Sequence, residues 1–227
     1  MNNRFRDRTE AGELLSEQLL GYFCHPQAIV LGLPRGGVPV AAEIARRLEL
    51  PLDICLVHKL GVPGDPELAM GAIDLQGRRY LNDRIITTLQ IPAARIDRVA
   101  EIELQELQRR NLVYRGDRLG GALRVRSTVD LRDRVAIVVD DGLATGSTMK
   151  AAIEVIKLQQ PAQIVVAVPV AFGGVVDELR ELVDLFVCLI LPVPFKAIGA
   201  WYDNFDQTTD DRVCELLARS TAPPGDY

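Results

Sequence analysis

Apolar and polar positions follow two alternating periods along this chain. Continuous apolar runs of strand length are separated by stretches whose apolar residues recur every three or four positions. Ala28 to Leu31 reads as a short strand. Val38 to Leu48 reads as a helix, with Val40, Ala41, Ile44, Ala45 and Leu48 on one face. Leu52 to Val57 is the next expected strand, and the β-branched run Val135 to Val139 another. A helix from Thr148 to Leu158, a strand from Ile164 to Val170, a helix from Val175 to Leu182 and a buried strand from Leu185 to Leu191 follow. Strands that are apolar on both faces and alternate with helices form parallel sheets covered on both sides. The expected fold class is therefore α/β, a doubly wound parallel sheet, in one domain spanning residues 1–227.

Two regions depart from this alternation. The stretch Arg95 to Tyr114, within a helical insertion over 91–118, is charged and helical, with Ile96, Val99, Ile102, Leu104, Leu107 and Leu112 at mixed spacing. It suits a lid, a helix that forms a homodimer, or a solvated helix packed on the sheet. Residues 192–208 combine Pro, Gly and aromatic side chains, a composition suited to an irregular C-terminal hood over a site.

Composition narrows the function classes. An apolar share of 48% with 25% charged residues is ordinary for a globular protein with a sizeable core. The net charge of −5 supplies no diffuse positive field, so nucleic acid is not an expected partner. Arg4, Arg6, Asp7, Arg8 and Glu10 leave no room for a secretory signal, and no apolar run approaches the roughly 18 residues of a membrane span. A cytoplasmic location without membrane contact is expected. Cys24, Cys55, Cys188 and Cys214 form no CxxC pair, and with only His25 and His58 beside them no zinc site is expected.

The most informative segment is VVDDGLATGST, Val138 to Thr148. A buried strand ends in two adjacent carboxylates, Asp140 and Asp141. The chain then turns through small and hydroxyl residues into a helix. Small side chains let backbone N–H groups approach a ligand, and a helix N-terminus adds partial positive charge, which together suit a phosphate monoester. The paired acids repel, so keeping both ionised calls for a cation or for donors such as sugar hydroxyls. LGLPRGGVPVA, Leu31 to Ala41, repeats the order strand, glycine loop, helix. Its Gly32, Gly36 and Gly37 lack the dinucleotide-binding spacing and no GK[ST] follows, so neither common nucleotide fingerprint applies. Arg35 beside the glycines suits a diphosphate. Both loops follow strand ends, where open α/β sheets bind ligands.

The segment 138–148 closely resembles the phosphoribosyl pyrophosphate (PRPP) motif of type I phosphoribosyltransferases. The resemblance implies that Asp140 and Asp141 meet the ribose hydroxyls and that Gly142, Leu143, Ala144, Thr145, Gly146, Ser147 and Thr148 hold the 5′-phosphate. It departs at Gly142, where the family usually has an aliphatic residue. The loop at Arg35, Gly36 and Gly37 is similar to the family's pyrophosphate loop. In VHKLGVPGDPELAMGAID, Val57 to Asp74, Lys59 matches a basic residue that meets pyrophosphate, and the loop after it, Leu60 to Gly71, matches a closing lid. The opening FRDRTEAGELLSEQL and the later AIGAWYDNFDQT extend the similarity to a group of bacterial phosphoribosyltransferases of unsettled acceptor.

The implied reaction is displacement of pyrophosphate from PRPP by a nitrogenous base or related acceptor, with magnesium as cofactor. Arg35 and Lys59 are the implied catalytic groups. Asp140 and Asp141 would meet the metal only through water or the ribose. Ala144 stands where purine-salvage members often carry an acid, which disfavours a 6-oxopurine acceptor. Trp201 and Tyr202 in the hood are candidates for stacking on the acceptor, or for sealing the core or a dimer interface. The competing reading is a PRPP- or nucleotide-sensing regulator on the same fold. A sugar-phosphate hydrolase lacks an evident group to activate water.

Overall fold

The computed structural model describes residues 4–119, 122–125 and 129–219. In chain order the elements begin with α1 (Arg8–Gln18), β1 (Ala28–Gly32), α2 (Gly37–Leu48) and β2 (Leu52–Ile54). Next come β3 (Val57–Val62), β4 (Asp65–Asp74), β5 (Arg79–Leu81), α3 (Asp83–Thr88), α4 (Ala93–Arg115), β6 (Gly116–Leu119) and β7 (Ala122–Val125). The order ends with β8 (Val135–Val139), α5 (Ser147–Lys157), β9 (Gln163–Val170), α6 (Gly173–Arg180), β10 (Leu185–Ile190) and α7 (Asp210–Arg219).

The chain divides into two compact units. The first comprises Met1–Cys55, Val129–Gly146 and Pro161–Tyr227; the second comprises Leu56–Thr128 and Ser147–Gln160. The first unit carries a five-stranded sheet in the order β10-β9-β8-β1-β2, with every pairing parallel. Every residue of β1 and β8 is buried, which explains their unbroken apolar sequences. From β1 the chain proceeds to β2 on one side, whereas from β8 it proceeds to β9 and β10 on the other. That reversal is a topological switch point, and the crevice beyond its carboxyl ends is where such sheets take ligands. Register fixes its walls: Gly32 pairs with Val139, so the loops after β1 and β8 leave the sheet side by side.

Two helices of this unit are not among the elements expected from the patterning. Helix α1 starts at Asp7, whose side chain accepts the Glu10 N–H at 3.0 Å, and buries Ala11, Gly12, Leu15 and Ser16. A side chain at Gly12 would meet the Val40 carbonyl at 2.7 Å, so glycine permits α1 to cross close over α2. At the other end of the unit, α7 buries only Val213 and Leu217.

The second unit contains the antiparallel sheet β3-β4-β5 and the two-stranded β6-β7. The expected strand Leu52 to Val57 divides into β2 and β3, and Lys59 lies within β3 rather than beyond a strand. The expected lid, Leu60 to Gly71, is largely a β-hairpin in which Leu60 pairs with Gly71 and Val62 with Asp65. Its turn passes through Gly64 at φ 93°, a left-handed conformation that glycine adopts without a Cβ penalty. Pro63 and Pro66, which in sequence suit hinge and stiffening elements of a lid, flank that turn. Helix α4 buries Ile96, Ala100, Leu107 and Tyr114 and packs on β3 and β4, the packed-helix alternative among the readings of this stretch. No described helix is long and apolar enough to cross a membrane.

Candidate functional site

The chemistry gathers at the switch point of the first unit. Strand β8 delivers Asp140 and Asp141 at its carboxyl end, and the Leu33 N–H reaches across to the Val139 carbonyl at 2.9 Å. The β1 loop is thereby tied to the start of the acid pair. A side chain at Gly36 would collide with Asp141 Oδ2, and one at Gly37 would lie 2.6 Å from the Val139 carbonyl and 2.8 Å from Asp140 Cα. The two glycines are therefore needed for the carboxylates to lie against the loop. The Gly37 N–H is committed to the Leu33 carbonyl at 3.0 Å. Among the described residues the Gly36 N–H has no acceptor. Arg35, half-exposed, stands next to it with Nη1 3.9 Å from Asp210 Oδ1.

Each acid has one oxygen engaged by protein and one that is not. Asp140 Oδ1 accepts the Asp141 N–H at 2.8 Å. Asp141 Oδ2 accepts from Arg8 Nε at 2.9 Å and Arg8 Nη2 at 2.7 Å. Asp140 Oδ2 and Asp141 Oδ1 have no partner among the described residues, and neither is shut off from solvent. Two acceptor oxygens on adjacent residues match the two hydroxyls of a vicinal diol. Burial pushes the Asp140 carboxyl well above the usual carboxylate range, and the Asp141 charge adds to the shift. Burial also raises Asp141, outweighing the Arg8 charge and hydrogen bonds that lower it. Two ionised carboxylates here are costly until donors or a cation arrive.

The loop after the acids is anchored rather than loose. Leu143 is buried, donates its N–H to the Val170 carbonyl at 2.9 Å and accepts the Phe172 N–H at 2.9 Å. Its amide is thus engaged by protein, while Ala144 and Thr145 are exposed. Gly146 adopts φ 67° and faces the Val175 side chain, where a Cβ would collide. At Gly142 a side chain would meet Ile198 Cγ2 at 2.6 Å. Ile198 from the C-terminal segment fills the space that an aliphatic residue at 142 would take. Ser147 and Thr148 open α5 in the second unit, and Lys59 lies on β3 of that unit. His58, next to it, holds Glu103 through Nδ1 at 2.6 Å.

Segments around Phe5 and Tyr202 pair beside Asp141. Phe5 bridges to Tyr202 in parallel, the Phe5 N–H donates to the Trp201 carbonyl at 2.9 Å, and the Asp203 N–H donates to the Phe5 carbonyl at 2.8 Å. The Tyr202 hydroxyl donates to the Asp141 carbonyl at 2.7 Å. Burial, then the Asp141 charge, raise that hydroxyl's pKa, so it stays a protonated donor. Tyr202 is 2% exposed, with its ring 5.3 Å from Phe5 and 4.9 Å from Phe205. It leaves no face for a base, which corrects the expectation of stacking: Tyr202 packs the hood and holds the acid segment. Trp201 packs beside the same cluster but is only partly buried, and its indole N–H has no partner among the described residues.

This geometry sets the comparison with known proteins. A family model described as the phosphoribosyl transferase domain matches residues 9–182, which include both loops and the acid pair. The chain belongs to the phosphoribosyl transferase family. Two Mycobacterium tuberculosis proteins, from strains CDC 1551 / Oshkosh and H37Rv, carry the provisional name phosphoribosyl transferase. Each is 44% identical over 216 residues, which is 95% of this chain and 47% of theirs. The chain thus spans about half the length of these curated relatives. The crystal structure of TT1426 from Thermus thermophilus is similar at 40% identity and TM-score 0.85, over 96% of this chain and 100% of that one.

Within this family member the structure brings Arg35, Gly36, Gly37, Asp140 and Asp141 to one crevice and carries Lys59 on the other unit. Sequence reasoning misses Arg8, the Tyr202 hydroxyl and Ile198 as parts of the site. Residues 8, 141 and 202 are joined only by the fold, and no spacing rule links them.

Proposed function

We propose that this chain binds PRPP with magnesium and transfers phosphoribose to a nitrogenous or related small-molecule acceptor, releasing pyrophosphate. The observation that carries the reading is the seating of Asp140 and Asp141 against Gly36 and Gly37, each acid presenting one unpartnered oxygen. Those oxygens accept the ribose 2′- and 3′-hydroxyls. Residues Ala144 to Thr148 receive the 5′-phosphate, and the Gly36 N–H with the Arg35 guanidinium receives pyrophosphate. Lys59 adds positive charge as pyrophosphate departs.

Among the described residues no group of three or more His, Cys, Asp and Glu side chains is arranged to hold a metal. The donor set fits magnesium carried on PRPP and met by Asp140 and Asp141 through water or the ribose. Bound there, magnesium would neutralise charge developing on the leaving group. At the ribose, bond breaking at C1 builds oxocarbenium character, for which the chain supplies positioning by the acid pair. Of the two candidates Trp201 and Tyr202, only Trp201 keeps accessible surface, so Trp201 rather than Tyr202 would stack on the acceptor.

The test is consumption of PRPP with magnesium across a panel of purine, pyrimidine and amine acceptors, followed by pyrophosphate release. Release that depends on one acceptor supports the transferase. PRPP binding without release under any acceptor supports the sensing regulator instead.

A further inference from the structure

Arg8 lies just outside the segment that the family model matches, yet its side chain reaches the centre of the site. Its Nε and Nη2 both bond one oxygen of Asp141, while Nη1 donates to the Asp206 carbonyl at 2.8 Å. The guanidinium carbon sits 4.0 Å from the centre of the Phe205 ring. Planar donors, a backbone acceptor and a ring face fix the guanidinium in three directions, which an ammonium could not match. Arg8 and Asp141 side chains are each 12% exposed, so the pair is largely withdrawn from solvent.

The division of labour on Asp141 is informative. Both Arg8 bonds fall on Oδ2, the oxygen that lies against Gly36, and Oδ1 is left without a partner among the described residues. Meanwhile Tyr202 holds the Asp141 backbone carbonyl. One end of the residue is tethered by the N-terminal segment and the other by the C-terminal segment. These segments are themselves paired through Phe5 and Tyr202.

We propose that Arg8 is a positioning residue for PRPP: it pins Asp141 through Oδ2 so that Oδ1 faces the ribose. The proposal rests on the PRPP reading above. Arg8 does not touch the ligand; it acts through Asp141, as outer partners of ligating groups do. Its removal lets the carboxylate rotate and share both oxygens with water, which weakens the directed bond to the sugar hydroxyl.

The experiment is calorimetric titration of PRPP with magnesium into wild-type protein, Arg8→Met, Arg8→Lys, Asp141→Asn and the double variant Arg8→Met/Asp141→Asn. Arg6→Met is the control, since Arg6 pairs with Glu10 and does not reach Asp141. The expected result is a Kd raised roughly tenfold in Arg8→Met, the scale for losing an orienting partner. Arg8→Lys should recover part of that loss, and Arg6→Met should bind as wild type. The double variant should bind no more weakly than Asp141→Asn alone, because Arg8 has nothing left to position. Wild-type affinity in Arg8→Met, or losses that add in the double variant, would overturn the proposal while leaving the PRPP reading intact. Wild-type protein that binds no PRPP would overturn both. If Arg8→Met does not fold, Arg8→Lys decides: unchanged affinity in that variant refutes the positioning role.

Discussion

Replacing Arg8 with methionine should cost the empty protein stability in a way that depends on pH. Methionine keeps an apolar stem over Phe205 but removes the guanidinium, leaving the Asp141 carboxylate buried with its counter-charge gone. Breaking a buried pair by deleting one partner costs roughly 3–5 kcal/mol, more than the pair's net worth, because the survivor is uncompensated. For a chain of this size each kcal/mol lowers Tm by roughly 2–4 °C, so a fall of roughly 6–20 °C is expected. The sign with pH follows from Asp141, whose folded-state pKa is already raised by burial. A raised carboxyl contributes most stability below its unfolded pKa and loses it as pH rises through the folded value. Without Arg8 that loss is larger, so the deficit against wild type should shrink as pH falls from about 8 toward about 5. Urea titrations followed by Trp201, the single tryptophan and a member of the same unit, provide the assay. Adding Asp141→Asn to Arg8→Met should recover most of the loss at neutral pH. A deficit that stays constant across the pH range, or no recovery in the double variant, would refute the buried-pair argument.

Three further outcomes follow from the same geometry. Gly36→Ala drives a methyl group into Asp141 Oδ2, so overpacking should cost roughly 1–3 kcal/mol in urea melts and PRPP affinity should fall with it. Asp140→Asn removes a carboxylate whose charge burial opposes; stability at neutral pH should rise by about 0.5–2 kcal/mol, with the gain vanishing in acid, while PRPP binding weakens. Lys59→Ala, assayed with the acceptor identified by pyrophosphate release, should lower kcat more than it raises the KM for PRPP; an unchanged kcat would mark the lysine as structural.

The parallel sheet was legible because its strands are buried on both faces and carry no polar interruption, as in Val135 to Val139. Both site loops were legible for a related reason: local chemistry and strand ends occur together within about ten residues in each. The antiparallel hairpin was not, because Pro63, Gly64 and Pro66 signal a break in regular structure without saying whether strands flank it. Tyr202 illustrates a different limit. Its aromatic ring suggests recognition as readily as packing, and only its contacts with Phe5, Phe205 and Asp141 decide between them. Arg8 was invisible for the most basic reason, since its partner lies 133 residues away.

The PRPP reading places the ribose at the acid pair, Asp140 and Asp141. Its most direct test is titration of PRPP into wild-type protein with and without magnesium, and into the Asp140→Asn/Asp141→Asn variant with its fold checked by circular dichroism. Saturable, magnesium-dependent binding is expected of the wild type, weakened in the double variant by roughly 1–3 kcal/mol per lost charged hydrogen bond. Equal PRPP affinity in wild type and variant would contradict it.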